Sequence, residues 1–317
     1  MMQPAHLRAV LIAGPTASGK SGLALELARA LNGVVINADS MQVYAELPVL
    51  TARPSAEDMC QAPHALYGHV SAAEAYSAGR WIKDAAQIIG HAERDGRLPI
   101  IVGGTGLYFK ALIEGLSPIP DIPDPIRRHW RGEVALQGAA VLHRELASRD
   151  PEMAGRLNPK DQQRVTRALE VLDATGRSLG DWQKITGEPV LRPDETYRLV
   201  LAPDRAVLYQ RCDRRFDAMM NAGALDEARR LAAFGLDAGL PAMRALGVRP
   251  LLAHDRGAIS LAEAMAQSKA ETRQYAKRQM TWLKSNMIAW NWHDAQDSEI
   301  IVNEILPLIA QLRTRAR

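Results

Sequence analysis

The sequence predicts an α/β fold, in which a parallel β-sheet is flanked by helices and interrupted by one helical insertion. Three observations support this prediction. Short continuous apolar runs end at glycines or polar residues, as buried strands of a parallel sheet do. Segments with apolar residues at helical spacing lie between these runs. A proline-rich stretch then introduces a long region with helical periodicity and no strand pattern.

The elements of the predicted sheet alternate with helices along the chain. Ala9–Ala13 is an apolar run that ends at a glycine, and it predicts the first strand. Leucines spaced four residues apart predict a helix over Lys20–Leu31, which Gly33 closes. Further strands are predicted over residues 34–36, 98–102 and 197–202. This alternation is typical of the α/β class.

The predicted insertion begins at the proline-rich stretch. Residues 117–125 contain four prolines in nine positions, and the chain from there to about residue 187 is rich in arginine. We therefore expect three segments along the chain. These are residues 1–120 for the first part of the core, residues 121–190 for an inserted helical domain, and residues 191–317 for the rest of the core with basic helices.

Composition excludes several classes of protein. The 317 residues carry 39 basic and 36 acidic side chains, a balance that permits nucleic-acid binding without requiring it. No apolar run of about 18 residues is present, so we expect no association with a membrane. Cys60 and Cys212 stand alone, which excludes a disulfide framework and a structural zinc site. Met1–Arg8 lacks the pattern of a secretory signal, so we expect a cytoplasmic protein.

A phosphate-binding loop follows the first predicted strand. The pattern G-x-x-x-x-G-K-[ST] is filled by Gly14, Pro15, Thr16, Ala17, Ser18, Gly19, Lys20 and Ser21. Its context of strand, loop and helix favours a sheet of the P-loop kinase type. Backbone N–H groups and the helix N-terminus of such a loop bind phosphate oxygens, and Lys20 adds a positive charge. Since the Ser21 hydroxyl is a ligand for Mg²⁺, the loop predicts a magnesium-dependent site for ATP or another polyphosphate.

A phosphate loop identifies a class of ligand and not a reaction. Nucleotide triphosphatases usually carry a second acidic residue at the end of a neighbouring strand. The run over residues 98–102 ends in Gly103-Gly104-Thr105, which contains no acid. The carboxylate at a strand end is instead Asp39. Asp39 could hold a metal-bound water, accept a proton from a nucleophile, or cap a turn.

Several motifs together resemble one family. In chain order they are Gly14–Ser21, Asp39-Ser40-Met41-Gln42-Val43-Tyr44, Pro63-His64, Gly103-Gly104-Thr105-Gly106-Leu107-Tyr108, Gln163-Arg164-Val165-Thr166-Arg167 and Lys277-Arg278-Gln279-Met280-Thr281-Trp282. From about Val10 to Trp292, their order and separations resemble those of the bacterial tRNA dimethylallyltransferases, also called tRNA isopentenyltransferases. The resemblance implies transfer of a dimethylallyl group from dimethylallyl diphosphate to N6 of the adenine at tRNA position 37, beside the anticodon.

The resemblance also implies roles for individual residues. The diphosphate leaving group would occupy the loop over Gly14–Ser21, and no ATP would be hydrolysed. Asp39 would accept the proton of the adenine amino group as its nitrogen attacks the allylic carbon. Thr105 and Arg127 would contact the reacting nucleotide and the diphosphate, whose developing charge needs stabilisation. Because other arginines lie close to Arg127 in the sequence, ordinary surface charge is the alternative for it.

The tRNA-binding residues that the resemblance implies lie in four segments. They are Asp39, Ser40, Met41 and Gln42, then Gln163, Arg164, Val165, Thr166 and Arg167, then Arg244 and Arg249, and finally Lys277, Arg278 and Lys284.

Arg164 and Arg167 lie one turn apart on a predicted helix. A second helix, predicted over residues 268–285, carries one basic stripe made of Lys269, Arg273, Lys277 and Lys284. For the cations of both helices, the alternative interpretation is a hydrated surface that does not contact RNA. Val248 stands where many relatives carry a tyrosine, so no contact from a tyrosine is expected there.

Two other functions stay open at this point. An ATP-dependent small-molecule kinase would explain the phosphate loop and a helical lid, but not the motifs at Asp39 and Thr105. An RNA-binding protein with a purely structural nucleotide is the other alternative. Under the favoured interpretation, the partners are the tRNA anticodon stem-loop and dimethylallyl diphosphate. The cofactor is then Mg²⁺, and the protein is expected to be a monomer.

Overall fold

The computed structural model describes residues 7–294 and 298–314. The chain forms two compact units. The larger unit comprises the chain up to Ile113 and from Val190 onward, and the smaller unit is Glu114–Pro189. The sequence-based division began the insertion at residue 121. The smaller unit begins earlier because the last helix before the insertion ends at Glu114, so the whole proline-rich stretch follows it.

The larger unit is built on a sheet of parallel strands, as predicted. The strands are β1 (Ala9–Ala13), β2 (Gly33–Asn37), β3 (His64–Ala65), β4 (Leu98–Gly103), β5 (Thr196–Leu201) and β6 (Asn291–His293). Among the described residues they form one six-stranded sheet in the order β3-β2-β4-β1-β5-β6. β3 and β6 were not predicted, because two or three residues are too few to give a recognisable apolar run.

Helices make up most of the remaining chain. In chain order they are α1 (Lys20–Ala30), α2 (Ala56–Gln61), α3 (Ala78–Arg94), α4 (Gly106–Glu114), α5 (Asp124–Gln137), α6 (Ala139–Arg149), α7 (Pro151–Gly155), α8 (Gln162–Thr175), α9 (Leu179–Gln183), α10 (Arg205–Asn221), α11 (Ala224–Ala233), α12 (Val248–Asp255), α13 (Leu261–Asn286) and α14 (Ser298–Thr314). Short 3₁₀ turns occupy Pro193–Glu195 and Ala242–Arg244. Within the described residues, no helix has both the length and the apolar character needed to span a bilayer. Residues 1–6, on which the prediction about a secretory signal depends, lie outside the described part of the chain.

Both faces of the sheet are covered by apolar side chains. Along β1, Leu11 packs into one core cluster and the adjacent Ile12 into another, and both side chains are fully buried. Ile101 and Ile100 divide in the same way along β4. Because neither face meets water, the strands have continuous apolar sequences and not alternating ones.

The smaller unit is helical and has a core of its own. Between Glu114 and Pro189, all of which the structure describes, the regular elements are α5 to α9. Trp130, Leu146 and Leu169 pack together there. The Trp130 indole N–H also donates to Asp173 Oδ2 at 2.7 Å, so the polar atom of this buried side chain has a partner. The predicted helical insertion is therefore present.

Candidate active site

Three strands of the larger unit end side by side and bring the predicted site together. β4 lies between β1 and β2, and the segments that follow these strands are joined by backbone contacts. The Gly14 N–H donates to Gly103 O at 3.3 Å, and the Thr105 N–H donates to Ala38 O at 3.1 Å. Thr105 Oγ1 accepts from the Ser40 N–H at 3.0 Å. The phosphate loop, Thr105 and the Asp39 turn therefore share one edge of the sheet, where ligands of α/β proteins usually bind.

The phosphate loop has the backbone that its glycines allow. Gly19 adopts a left-handed conformation with φ +92°, immediately before α1 begins at Lys20. A Cβ atom at Gly14 would lie 2.7 Å from Ser18 Oγ and 3.0 Å from Leu201 O, so no larger residue fits there. The loop thus delivers the N-terminus of α1, with its unpaired N–H groups and positive dipole end, to the edge of the sheet.

Lys20 is held inside the loop. Its Nζ donates to Pro15 O at 3.1 Å. Burial lowers the pKa of Lys20 to about 8, while the negative charge of Asp39 raises it and the positive charge of Arg215 lowers it further. Little negative charge offsets the burial of this ammonium, so an anion bound beside it would stabilise its charged form. The loop is therefore prepared for a phosphate group.

Asp39 caps the turn that follows β2, as one of the predicted alternatives proposed. Its Oδ1 accepts from the Met41 N–H at 2.9 Å, and its own N–H donates to Asn37 Oδ1 at 2.8 Å. Its second carboxylate oxygen accepts no hydrogen bond from the described residues, so one oxygen stays available while the other caps the turn. A carboxylate held in this way keeps an oxygen available for a proton.

Tyrosine side chains surround Asp39. Burial, followed by the Asp39 charge, raises the pKa of Tyr67, Tyr108 and Tyr275 above the ordinary value. Tyr108 stacks on Trp81, with ring centroids 4.3 Å apart and an interplanar angle of 11°. These phenols stay neutral at physiological pH, so Asp39 faces aromatic groups that do not carry a competing charge.

The structure adds residues that the sequence analysis did not assign. Arg215, on α10, donates to Thr16 Oγ1, and burial lowers its pKa. Gln279, on α13, accepts from the Thr16 N–H at 2.8 Å and donates to Gly104 O at 2.9 Å. Arg215 is one of several arginines on α10, and no local pattern distinguishes it from the others. Gln279 belongs to the motif at residues 277–282, but sequence reasoning used only the basic residues of that motif.

The basic stripe predicted on α13 contains two cations that are already paired within the protein. Lys269 forms an ion pair with Asp217 at 2.6 Å, and Arg273 forms one with Asp213 at 2.6 Å. Both carboxylates belong to α10, so these two cations hold α13 against α10. Lys277, Arg278 and Lys284 are exposed on the same helix.

Lys277 and Arg278 line cavities beside α13. One, of about 280 Å³, brings Arg244 and Arg249 beside Arg278, and its other lining residues are Ala245, Leu246, Glu271 and Gln274. The second, of about 520 Å³, is lined by Gln274, Lys277, Arg278, Thr281, Trp282, Ser285 and Asn286. The two segments predicted to bind tRNA in this part of the chain thus lie together. Val248, which lies next to Arg249 in the sequence, is fully buried.

Three residues predicted to contact tRNA have side chains that are buried or hydrogen-bonded within the protein. Val165 is fully buried in the core of the smaller unit, and Thr166 is only 7% exposed, so both side chains are largely shielded from a bound tRNA. The Gln42 amide donates to Thr51 O and Ala52 O, both at 2.9 Å, and so serves its own loop.

The remaining predicted residues of the smaller unit differ in their partners. Arg164 and Gln163 are exposed, and Arg164 lies 3.3 Å from Asp161. Arg167 lies 3.4 Å from Glu170. Arg127 has a buried Nε without a hydrogen-bond partner among the described residues.

Few protein groups at this site are available to bind a metal ion. Within residues 7–294 and 298–314, no three histidine, cysteine or acidic side chains come together as metal ligands. Ser21 is exposed in the first turn of α1 and can offer its hydroxyl. Mg²⁺ commonly binds through one or two protein oxygens together with substrate phosphates and water, so this site fits magnesium held jointly with a phosphate ligand.

A glycine-rich loop before a helix and a carboxylate at the same edge of a parallel sheet are the features expected of the P-loop class of proteins, which handle phosphorylated substrates. Comparison with known proteins narrows this class. Residues 42–286 match the family described as IPP transferase, and residues 7–67 match the family described as isopentenyl transferase. The chain belongs to this family of tRNA dimethylallyltransferases, as the sequence motifs predicted, and it is a prenyltransferase.

Individual relatives are similar over nearly their whole length. The tRNA dimethylallyltransferase of Parvibaculum lavamentivorans is 55% identical over 96% of this chain and 96% of its own. That of Bradyrhizobium sp. is 53% identical, with 94% and 97% covered.

Solved structures give the same result. The tRNA isopentenylpyrophosphate transferase of Bacillus halodurans has a TM-score of 0.69 at 34% identity, covering 97% of each chain. A eukaryotic dimethylallyltransferase acting on tRNA has a TM-score of 0.80 at 29% identity, covering 96% of this chain and 79% of its own. These comparisons favour the transferase over the kinase alternative.

Proposed function

We propose that this protein transfers the dimethylallyl group of dimethylallyl diphosphate to N6 of adenine 37 in tRNA. The names of its relatives support the donor group and the acceptor. The observation that carries the proposal is the shared edge of the sheet, where Thr105 joins the Asp39 turn and Gly14 joins Gly103 through hydrogen bonds. One end of the donor and the attacking nitrogen would thereby meet beside a carboxylate.

The proposed reaction is a displacement. The lone pair of N6 forms a bond to C1 of the dimethylallyl group, and the bond from C1 to the diphosphate oxygen breaks with its electron pair leaving on oxygen. Asp39 accepts the proton that N6 loses. An exocyclic adenine amine is a poor nucleophile, so both a positioned base and a stabilised leaving group are needed.

The leaving group would be stabilised by the phosphate loop. The N–H groups at the start of α1 and the Lys20 ammonium face the position of the diphosphate. We propose that Ser21 holds Mg²⁺, which when bound neutralises charge on the diphosphate. Arg127 is proposed to contact the same group, and its buried Nε without a protein partner supports a ligand for it.

The tRNA would bind through exposed cations. We propose that Arg244, Arg249, Lys277, Arg278 and Lys284 contact phosphates of the anticodon stem-loop, together with Gln163, Arg164 and Arg167 of the smaller unit. The clustering of Arg244, Arg249 and Arg278 around one cavity supports this assignment. Acting on tRNA, the protein would work in the cytoplasm, and we propose that it does so as a monomer.

A transfer assay tests the proposal. Purified protein, Mg²⁺ and labelled dimethylallyl diphosphate are incubated with an unmodified tRNA that carries adenines at positions 36 to 38, or with the same tRNA altered at position 37. We expect label on the first tRNA alone. Absence of transfer, with ATP consumed when small acceptors are supplied, would instead support the kinase alternative.

A further inference from the structure

Gln279 is a buried polar residue whose position no part of the reaction described so far explains. It lies on α13 and is 6% exposed. Both ends of its amide are occupied by backbone groups that are far apart in sequence, namely the Thr16 N–H and Gly104 O. One partner is a donor and the other an acceptor, so a side chain that both accepts and donates is required between them.

The backbone around Gln279 is shaped to receive it. A Cβ atom at Gly104 would lie 2.1 Å from Gln279 Nε2, and one at Gly106 would lie 2.1 Å from the Trp282 ring. Residues 279 and 282 lie one turn apart on α13, so the segment after β4 packs directly against this face of the helix. Such close contact is possible only with glycine at both positions.

The other polar groups of Thr16 are also held by protein. Its hydroxyl accepts from Arg215, and its carbonyl oxygen lies 4.0 Å from the Cys212 thiol. Thr16 is therefore the residue of the phosphate loop that side chains of α10 and α13 fix in place. The N–H groups at the start of α1 follow it within the same loop, so the position of Thr16 sets where they point.

The opposite face of α13 carries the cations proposed to bind tRNA. Lys277 and Arg278 are adjacent to Gln279 in sequence and exposed, and both line the larger cavity. A single rigid helix thus contacts the phosphate loop on its buried face and offers a tRNA site on its exposed face.

We infer that Gln279 is a positioning residue that fixes the phosphate loop at Thr16 and couples diphosphate binding to tRNA binding on α13. This inference rests on the proposed function. Coupling of this kind is reciprocal, so each substrate changes the affinity for the other by the same factor.

Calorimetric titration with inorganic diphosphate tests the inference, in the absence and presence of an unmodified anticodon stem-loop. In the wild type, we expect the stem-loop to tighten diphosphate binding by about fivefold or more. Gln279→Met removes both hydrogen bonds, so diphosphate should bind about tenfold more weakly, and the effect of the stem-loop should fall below about twofold. Gln267→Met, at an exposed position on the same helix, is the control and should behave as the wild type.

A second variant separates positioning from simple loss of fold. In Gln279→Glu, a protonated carboxyl can accept and donate as the amide does, whereas a carboxylate can only accept. Burial raises the pKa of such a carboxyl. The diphosphate affinity of this variant relative to the wild type should therefore recover as the pH falls from 8 to about 5.5, while that of Gln279→Met stays constant. The charged and titratable groups around this site are Lys20, Arg215, Asp39, Cys212 and Tyr275. Gln279→Met retains all of them without adding a carboxyl, so its pH dependence is the reference for Gln279→Glu.

Several outcomes would overturn the inference. They are a wild type without coupling, a Gln279→Met protein with unchanged diphosphate affinity or unchanged coupling, and a Gln279→Glu protein without recovery at low pH. A wild type that binds and couples both ligands but transfers no label would count against the proposed function and not against the role of Gln279.

Discussion

Asp39 shows how one residue can serve structure and chemistry together. The sequence places it at a strand end but leaves open whether it caps a turn or accepts a proton. In the structure, one carboxylate oxygen accepts from the Met41 N–H, and the other is not bonded to the described residues. The turn that Asp39 caps is what directs the second oxygen, so the two roles support each other.

Asp39→Asn separates these roles, because an amide oxygen can still accept from the Met41 N–H but the side chain cannot take up a proton. We expect turnover to fall by about 10²- to 10⁴-fold, as losses of a general base do. Affinity for tRNA should stay within about threefold of the wild type. Single-turnover transfer and filter binding measure the two quantities, and an equal loss of both would mean that Asp39 shapes the site instead.

Burying the charged Lys20 side chain costs free energy in the folded protein. Burial lowers its pKa from 10.5 to about 8. Below pH 8 the side chain is protonated in both the folded and the unfolded chain, so the cost of burying the charge is present in full. Between pH 8 and 10.5 the unfolded chain binds more protons, and the stability of the wild type therefore rises with pH.

Lys20→Met removes this cost, so the ligand-free variant should have a larger free energy of unfolding than the wild type at pH 7. The difference should shrink as the pH rises from 8 towards 10.5, because the wild-type lysine is then neutral in the folded protein. Urea denaturation at a series of pH values measures it. A wild type that is the more stable protein at pH 7 would contradict the expectation. Inorganic diphosphate should stabilise the wild type but not the variant.

At the scale of elements, α13 has two faces with different tasks. Sequence spacing alone treats its cations as one stripe. The partners on α10 divide them, since Asp213 and Asp217 bind Arg273 and Lys269. Only the cations beyond this contact, at Lys277, Arg278 and Lys284, are free to meet a nucleic acid backbone.

The salt dependence of tRNA binding should reveal this division. Lys277→Ala or Lys284→Ala should lower the slope of log affinity against log salt by about one, since each removes one phosphate contact. Lys269→Ala should leave the slope unchanged, because that ammonium already pairs with Asp217. Filter binding at several salt concentrations provides the slopes. A change of slope in Lys269→Ala would show that the pair opens when tRNA binds.

How well each element could be predicted depended on its length and on local signals. The apolar runs of β1, β2 and β4 and the phosphate loop are local patterns, and the structure contains them. The start of α13 was placed too late, although Ser260 and Glu263 form a capping box that the sequence carries. Arg215 and Gln279 contact Thr16 from positions about 200 and 260 residues away, and no local signal reports such contacts.

At the scale of the whole molecule, the residues assigned to the two substrates are divided between the units. The phosphate loop belongs to the larger unit, whereas Arg164 belongs to the smaller one. Arg127, which is proposed to contact the diphosphate, also belongs to the smaller unit. Arg164 is not among the residues assigned to the diphosphate, so its loss should leave the donor site intact. Sequence reasoning could assign the residues to their units, because the smaller unit is one continuous segment that a proline-rich stretch introduces.

Arg164→Ala is expected to weaken tRNA binding and to lower its salt slope by about one. The affinity for inorganic diphosphate in the absence of tRNA should not change. Arg144, which is also exposed in the smaller unit and has no assigned role, provides the matched control as Arg144→Ala. If both variants alter the slope equally, the effect comes from the overall charge of the unit and not from a contact at Arg164.

The strand order affects how the sheet can form while the chain is synthesised on the ribosome. β1 is hydrogen-bonded to β4 on one side and to β5 on the other, but β5 is translated only after the whole of the smaller unit. Synthesis proceeds at roughly 5–20 residues per second, so one edge of β1 stays unpaired for several seconds before β5 is made. Meanwhile Glu114–Pro189 has a complete core of its own and can fold. In the folded protein, Leu112 O accepts from the Val190 and Leu191 N–H groups at 3.0 and 3.1 Å, where the chain re-enters the larger unit. Once these two bonds form, β5 starts close to its place in the sheet.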